Sequence, residues 1–363
     1  MAGVQQADVT GDRPVRIGIV GFGNGGNFFH APFIEAAEGV ELAGVVARSE
    51  KNRATLAERF PGVPVYDSLA HLAEGERAGK GLDAVTITTP PATRHDLVLE
   101  AIGLGLAVVA DKPFAPDPTG ARELEQAAER AGITLSVYQN RRWDSDFVTL
   151  QRLVEEGRLG RVTRFHSRMD HARGSAPKGG PAGGVLHDLG THLIDQAVRL
   201  FGSVTRVYAT LDWIGAPGGE TDAAFVVSLT HDSGVVSNVS SSKLNHYNER
   251  ELRVYGERGT YVSRSTDVQA SAATTGGRPA SDRAAWGYEP ESAWGTLFTA
   301  DRPQTVPSEQ GDYTRYYEQF ARALRGEGPP PVTPAEAARV LAVIDAAIRS
   351  ARSGEAIDVN RQG

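Results

Sequence analysis

The sequence predicts an α/β protein: a parallel sheet with crossover helices comes first, then an α+β region on an open, mostly antiparallel sheet. Three observations carry the prediction. Short runs rich in β-branched residues alternate with helix-like stretches up to about Gln139. A glycine-rich turn directly follows the first of these runs. Beyond Gln139 the runs lengthen, alternate apolar with polar residues, and are separated by turn signals such as Asp232-Ser233-Gly234.

In the first region the strand candidates are Val15–Val20, Glu41–Ala47, Asp83–Thr88, Leu106–Ala110 and Ile133–Val137. None alternates strictly, as expected of strands covered on both faces. Glu50–Phe60, Arg94–Leu104 and Pro118–Ala131 read as helices between them, a spacing that means βαβ units. Asp144–Glu156 reads as the helix that opens the second region. Strands are expected there at Arg161–Met169, Val204–Asp212, Ala223–Thr230, Val235–Ser241, Glu251–Tyr255 and Gly259–Val262, with one wet face. Val185–Phe201, Asp312–Arg325 and Pro334–Ser350 read as helices. Ser265–Arg283 is small, polar and rich in Gly, Ser and Thr, and reads as a mobile loop.

Composition narrows the function classes. Of 363 residues, 40% are hydrophobic and 23% charged, a globular balance that argues against a largely disordered chain. No apolar run is long enough to span a membrane. The absence of cysteine removes disulfides, thiolate metal sites, iron–sulfur clusters and cysteine nucleophiles. A net charge of −7 gives no general attraction to nucleic acid or to an anionic membrane. Residues 1–13 lack the basic start and apolar stretch of a signal peptide and read as a disordered tail, so a cytoplasmic location is the expectation.

Gly21-Phe22-Gly23-Asn24-Gly25-Gly26 fits the pattern G-x-G-x-x-G and sits after a strand and before a helix, the context the motif requires. Gly21 permits the tight turn, Gly23 lets the backbone approach a pyrophosphate, and Gly26 lets helix and strand pack closely. The helix start offers N–H groups and partial positive charge to the phosphates. These features make residues 14–139 a Rossmann dinucleotide-binding domain. The second strand ends Val46-Ala47-Arg48-Ser49 with no carboxylate. A guanidinium and a hydroxyl there suit a ribose 2′-phosphate, so NADP(H) is favoured, with NAD(H) as the alternative.

Two further strand ends carry chemistry, and ligands of open parallel sheets sit beyond such ends. One is Thr88-Thr89-Pro90-Pro91, with His95 following. The other is Asp111-Lys112-Pro113, where a lysine held by rigid structure could polarise a carbonyl or stabilise an alkoxide. In the second region Asp188 and His192 are four apart, on one face of a helix, with Asp195 three further on. A histidine beside a carboxylate is an acid/base unit. His187 and His192 diverge on a helix, so no shared metal is expected.

Taken in order, the glycine turn, the Asp-Lys-Pro strand end and the run Gly183-Gly184-x-x-x-Asp188-x-Gly190-x-His192-x-x-Asp195 resemble the Gfo/Idh/MocA family of nicotinamide-dependent sugar and cyclitol oxidoreductases. The likeness runs from about Val15 to the final helix. Phe29-His30-Ala31-Pro32, Tyr138-Gln139-Asn140-Arg141-Arg142-Trp143-Asp144 and Asp188–Gln196 are similar to the branch that contains inositol dehydrogenases. The family's usual Glu-Lys-Pro has Asp111 in place of glutamate here. A Trp-Arg-containing segment common in the family is replaced by the small residues of Arg173–Ala182.

The resemblance implies Lys112, His192 and Asp188 as the catalytic set. It implies a cofactor site built from Gly21, Gly23, Asn24, Gly25, Gly26, Arg48, Ser49, Thr89, Pro90, His95, Asp111, Lys112 and Asn140. Lys112, Arg142, Asp188 and His192 are the implied substrate contacts, with Arg141 in the same segment, and no metal is implied. The expected activity is hydride transfer between a nicotinamide and a carbinol or keto carbon of a polyol. Residues 140–363 are expected to bind the substrate and to form a homodimer or homotetramer through their sheet. A non-catalytic dinucleotide sensor, or a glycosidase or another reductase on the same fold, stands as the alternative.

Overall fold

The structure is a computed structural model and describes residues 6, 11, 13–172, 177, 179, 180, 182–264 and 267–359. The expected tail therefore lies largely outside the described residues. Arg13, at its end, is tied to Asp83 through two hydrogen bonds of 2.7 and 2.6 Å. The chain divides into two compact units. The first takes the chain up to Asn140, then Gln269–Trp286 and Tyr313–Ala337; the second takes Arg141–Val268, Gly287–Asp312 and the chain from Ala338.

The first unit is built on a six-stranded parallel sheet: β1 (Val15–Val20), β2 (Val40–Val46), β3 (Val65–Tyr66), β4 (Ala84–Ile87), β5 (Ala107–Asp111) and β6 (Leu135–Tyr138). Its order is β3-β2-β1-β4-β5-β6. Every residue of β1, β4 and β6 is buried, which is why these runs lack alternation. The order reverses between β1 and β4, and such a switch point opens a crevice at the carboxyl ends of the strands. The short β3 and the helix Leu69–Arg77 after it were not legible in the sequence.

Helix ends in this unit follow local chemistry. Ser49 Oγ accepts from the Asn52 N–H at the start of Glu50–Arg59, and Asp117 accepts from the N–H groups of Thr119 and Gly120. The stretch read as a mobile loop instead contains the helix Val268–Thr274 and a single 3-10 turn, Pro279–Ser281. Its order comes from tertiary anchoring. Gln269 is buried, and its Oε1 accepts from the Tyr313 N–H and from the Trp286 indole. Ser265 and Thr266 lie outside the described residues.

The second unit holds a nine-stranded sheet: β7 (Val162–Asp170), β8 (Val204–Ala216), β9 (Gly219–His231), β10 (Val236–Ser242), β11 (Glu249–Gly256), β12 (Thr260–Ser263), β13 (Gly295–Phe298), β14 (Gln304–Val306) and β15 (Ile357–Asp358). The order is β14-β13-β12-β11-β7-β10-β9-β8-β15. Only the β7–β10 pair among these is parallel; the others are antiparallel. The strands alternate buried with exposed residues, as in β8, so one face is covered and one is wet. The helix Thr191–Phe201 lies against β7 and β10 on the covered face. Among the described residues no helix is long and apolar enough to cross a membrane.

Candidate functional site

The glycine turn sits at the switch point. Gly21 has φ +102°, a conformation costly for any residue with a Cβ. Its N–H donates to the Val46 carbonyl, and the Thr88 N–H donates to the Val20 carbonyl, so the ends of β1, β2 and β4 are pinned together. A Cβ on Gly26 would lie 2.3 Å from the Gly21 oxygen, and one on Gly25 would lie 2.2 Å from Thr88 Oγ1. A Cβ on Gly23 would meet nothing within 4 Å. Two glycines thus serve packing, while Gly23 faces open space. Thr89 Oγ1 is buried beside this turn with no hydrogen-bond partner among the described residues. An open backbone approach, an orphaned hydroxyl and a helix start fit a dinucleotide pyrophosphate.

The helix after the turn departs from the sequence reading at its start. Gly25–His30 winds with π-type hydrogen bonding before Ala31–Ala36 continues as an α-helix. Arg48 is exposed at the carboxyl end of β2, and Ser49 is exposed with its O–H still able to donate. Pro90 is exposed after β4. His95 lies in Pro91–Gly103 with Nδ1 3.2 Å from Asp96 and Nε2 3.3 Å from Glu123.

Asp111 ends β5 and is held from three sides. Its Oδ1 accepts from the Lys112 N–H at 2.8 Å, and its Oδ2 accepts from Thr88 Oγ1 at 2.8 Å and stands 3.4 Å from His30 Nε2. His30 is fully buried, with Nδ1 2.6 Å from the Tyr317 hydroxyl. Burial pushes the Asp111 carboxyl up, but His30, Arg94 and Lys112 outweigh it and hold the group below the ordinary carboxylate range. This carboxylate fixes the backbone at Lys112, whose side chain is half-buried at the strand end.

In the second unit the expected helix at Val185 begins as a π-turn, Leu186–Gly190, and becomes α-helical at Thr191–Phe201. Asp188 is half-exposed, and its Oδ2 accepts from Lys243 Nζ at 3.1 Å. His192 is buried. Burial lowers the His187 imidazole, opposed by its hydrogen bond with the Gly183 carbonyl at 3.1 Å. Arg142 gives Nε and Nη2 to the two oxygens of Asp195 at 2.8 and 2.7 Å, both side chains buried. Gln196 Nε2 donates to the Arg141 carbonyl at 3.0 Å. The segment Asn140–Trp143 is thereby stitched to the helix that carries His192.

Arg141 also joins an ionic cluster. It bonds Asp144 and Asp267, and Arg250 bonds Asp144 and Asp267 at 3.1 Å each. Burial opposes the Arg250 charge, yet the surrounding aspartates hold its pKa above the ordinary value. Within the first unit the structure brings Gly21, Gly23, Thr89, Asp111 and Lys112 to the strand ends; within the second it brings Asp188 and His192 to one helix. His30, Lys243 and Asp222 were not singled out by sequence reasoning. Of the small-residue segment, Arg173–Ala176, Lys178 and Pro181 lie outside the described residues.

Comparison with known proteins decides the family. Residues 15–139 match the model "Oxidoreductase family, NAD-binding Rossmann fold", and residues 151–359 match "Oxidoreductase family, C-terminal alpha/beta domain", the two GFO_IDH_MocA models. The chain belongs to the Gfo/Idh/MocA oxidoreductase family. Among Gfo/Idh/MocA relatives, the uncharacterized oxidoreductase YdgJ of Escherichia coli is 34% identical, over 93% of this chain and 96% of its own. The scyllo-inositol 2-dehydrogenase (NADP(+)) IolW of Bacillus subtilis is 28% identical, over 94% and 95%. The D-apiose dehydrogenase of Paraburkholderia graminis is 30% identical, over 92% and 88%. The solved structure of the B. subtilis oxidoreductase yvaA superposes with a TM-score of 0.87 at 27% identity, covering 97% of this chain and all of that one. A nicotinamide cofactor and redox chemistry follow from the family, and both sheets have the expected architecture.

Proposed function

We propose that this chain is a nicotinamide-dependent dehydrogenase of polyols, interconverting a carbinol and a keto carbon of a sugar or cyclitol. One observation carries the reading: the Leu186–Phe201 helix sets a lysine-paired carboxylate, Asp188, four residues before a buried histidine, His192. Relatives named for scyllo-inositol and D-apiose support the substrate class.

The nicotinamide of a dinucleotide held by its pyrophosphate at the glycine turn would accept or supply the hydride. In oxidation His192 takes the hydroxyl proton, and in reduction it returns it. Lys112 stabilises the negative charge that develops on the substrate oxygen. Asp188, held by Lys243, orients a substrate hydroxyl. Arg142 serves the substrate side through Asp195. Gly21, Gly23, Asn24, Gly25 and Gly26 receive the pyrophosphate, with Thr89, Pro90, His95, Asp111 and Asn140 completing the cofactor site. Arg48 and Ser49 favour NADP(H), because neither offers the carboxylate that would repel a 2′-phosphate. IolW, named for NADP(+), is consistent with that choice.

The decisive experiment is a screen of inositols, aldoses and keto-sugars, in both directions, with NADP(H) and NAD(H). Turnover of at least one polyol is expected, together with losses of about a hundredfold or more in Lys112→Ala and His192→Ala at unchanged cofactor affinity. No turnover across the panel, or near-normal rates in both variants, overturns the reading.

The wet face of the nine-stranded sheet carries Tyr208, Val226 and Phe298, each between 43% and 55% exposed. We read this face as the surface on which a second copy packs, giving a homodimer or homotetramer. Light scattering on wild type and Val226→Asp tests it; a monomeric wild type overturns it.

A further inference from the structure

The second glycine before the Asp188 helix, Gly184, has a reason that lies in strand β9. Asp222, on β9, is 4% exposed, and its Oδ2 accepts from the Leu186 N–H at 2.7 Å. The Val185 N–H also contributes to holding this carboxylate. Gly184 has φ +88°, and a Cβ there would lie 1.9 Å from Asp222 Oδ1 and 2.9 Å from Thr221 Oγ1. No side chain with a Cβ fits beside this carboxylate. The next residues on the chain form the π-turn Leu186–Gly190, and that turn lies on β9 as well: a Cβ on Gly190 would come within 3.2 Å of the Phe225 ring.

A buried carboxylate on a central strand is costly unless it is hydrogen-bonded. Here burial pushes the Asp222 carboxyl up to about 6, against the pull of the backbone N–H groups, with the charge of nearby Asp188 adding to the rise. A fold seeking only stability would do better with a neutral residue at this place. The group sits where it grips the first turn of the helix that presents Asp188 and leads into His192.

We propose that Asp222 is a positioning residue of the active site: its carboxylate latches the backbone at Leu186 and so sets the placement of Asp188 and His192, and Gly184 is glycine to admit it. The catalytic half of this statement rests on the roles assigned to Asp188 and His192 above; the latch itself does not.

The test uses full-length Asp222→Ala, Asp222→Asn and Gly184→Ala, plus the Gly184→Ala/Asp222→Ala double variant. Amide hydrogen exchange without substrate reads the latch. Exchange at Leu186 is expected to rise about tenfold or more in Asp222→Ala, the scale of a lost hydrogen bond to a charged group. With the polyol found by the screen, kcat is expected to fall about tenfold in Asp222→Ala and less in Asp222→Asn. The Kd for NADP(H) should stay within about twofold, because neither Asp222 nor Gly184 belongs to the proposed cofactor site. The double variant should lose no more than the worse single one, since both disable the same contact. Wild-type exchange at Leu186 in Asp222→Ala, unchanged kcat, or additive losses would each overturn the proposal. Failure of the dehydrogenase reading shows instead as an inactive wild type, and the exchange measurement then still decides the latch.

Discussion

Arg142 and Asp195 hold each other by two parallel hydrogen bonds, 2.8 and 2.7 Å long, with both side chains buried. The pair joins two runs that stand far apart in sequence, Asn140–Trp143 and the His192 helix. A bidentate guanidinium–carboxylate pair is geometrically specific, and lysine cannot reproduce it. Removing one partner strands the other charge in the interior. Asp195→Asn is therefore expected to destabilise the protein by about 3 kcal/mol or more, read as a lowered urea midpoint. Arg142→Lys should also lower the midpoint. A wild-type midpoint in Asp195→Asn would show that the pair contributes nothing net.

The glycine turn separates packing from binding. Gly23→Ala places its Cβ in open space, so stability should change by no more than about 0.5 kcal/mol. In the proposed cofactor site the same methyl would stand where the pyrophosphate approaches the backbone, so NADP(H) affinity should fall about tenfold or more. Gly26→Ala drives its Cβ to within 2.3 Å of the Gly21 carbonyl oxygen and should cost about 1–3 kcal/mol in stability. Calorimetry and cofactor titration on the two variants decide this. Equal stability losses would refute the division.

Arg48 offers the sharpest check on cofactor choice. It is exposed at the end of β2, so its replacement should leave the fold intact. Arg48→Ala is expected to raise the KM for NADPH about tenfold while leaving that for NADH nearly unchanged, because in the proposed site only the 2′-phosphate would lose its charged partner. Equal effects on both cofactors, or none, would place the 2′-phosphate contact elsewhere.

These residues differ in how far the sequence could reveal them. The glycine turn and the Asp111-Lys112-Pro113 strand end were legible because their chemistry is local: a strand, a turn and a helix within a few positions. The Arg142–Asp195 pair lay in two quoted runs, but nothing in either run announced that they meet, 53 residues apart. Lys243 had no signature at all. It follows a strand of small polar residues, and only the packing of β10 against the Leu186–Gly190 turn brings it to Asp188. Asp222 stood just outside the expected strand Ala223–Thr230 and carried no signature of its own; β9 in fact begins at Gly219. The helix Val268–Thr274 was hidden for the same reason: its order depends on Gln269 reaching Tyr313 and Trp286. Local composition there resembles a loop, and tertiary contacts override it.

Asp222 also predicts a pH dependence of stability. Its carboxyl is pushed up to about 6 in the folded protein, chiefly by burial, from near 4 in an unfolded chain. The native state therefore holds this proton more tightly than the unfolded state does. The stabilisation from protonation is fully present below about pH 4 and is lost as pH rises through about 6. Its span is at most about 3 kcal/mol. The neighbouring charges are Asp188, which raises the group further, and Lys243, paired with Asp188. Asp222→Asn removes this titration. Subtracting the variant's urea-unfolding free energy from the wild type's, at matched pH between 4 and 8, cancels the other carboxylates. The difference should fall as pH rises from 4 to 7 and then level off. A difference that is flat across that window, or that rises, would show that the folded protein stabilises the carboxylate at least as well as the unfolded chain does.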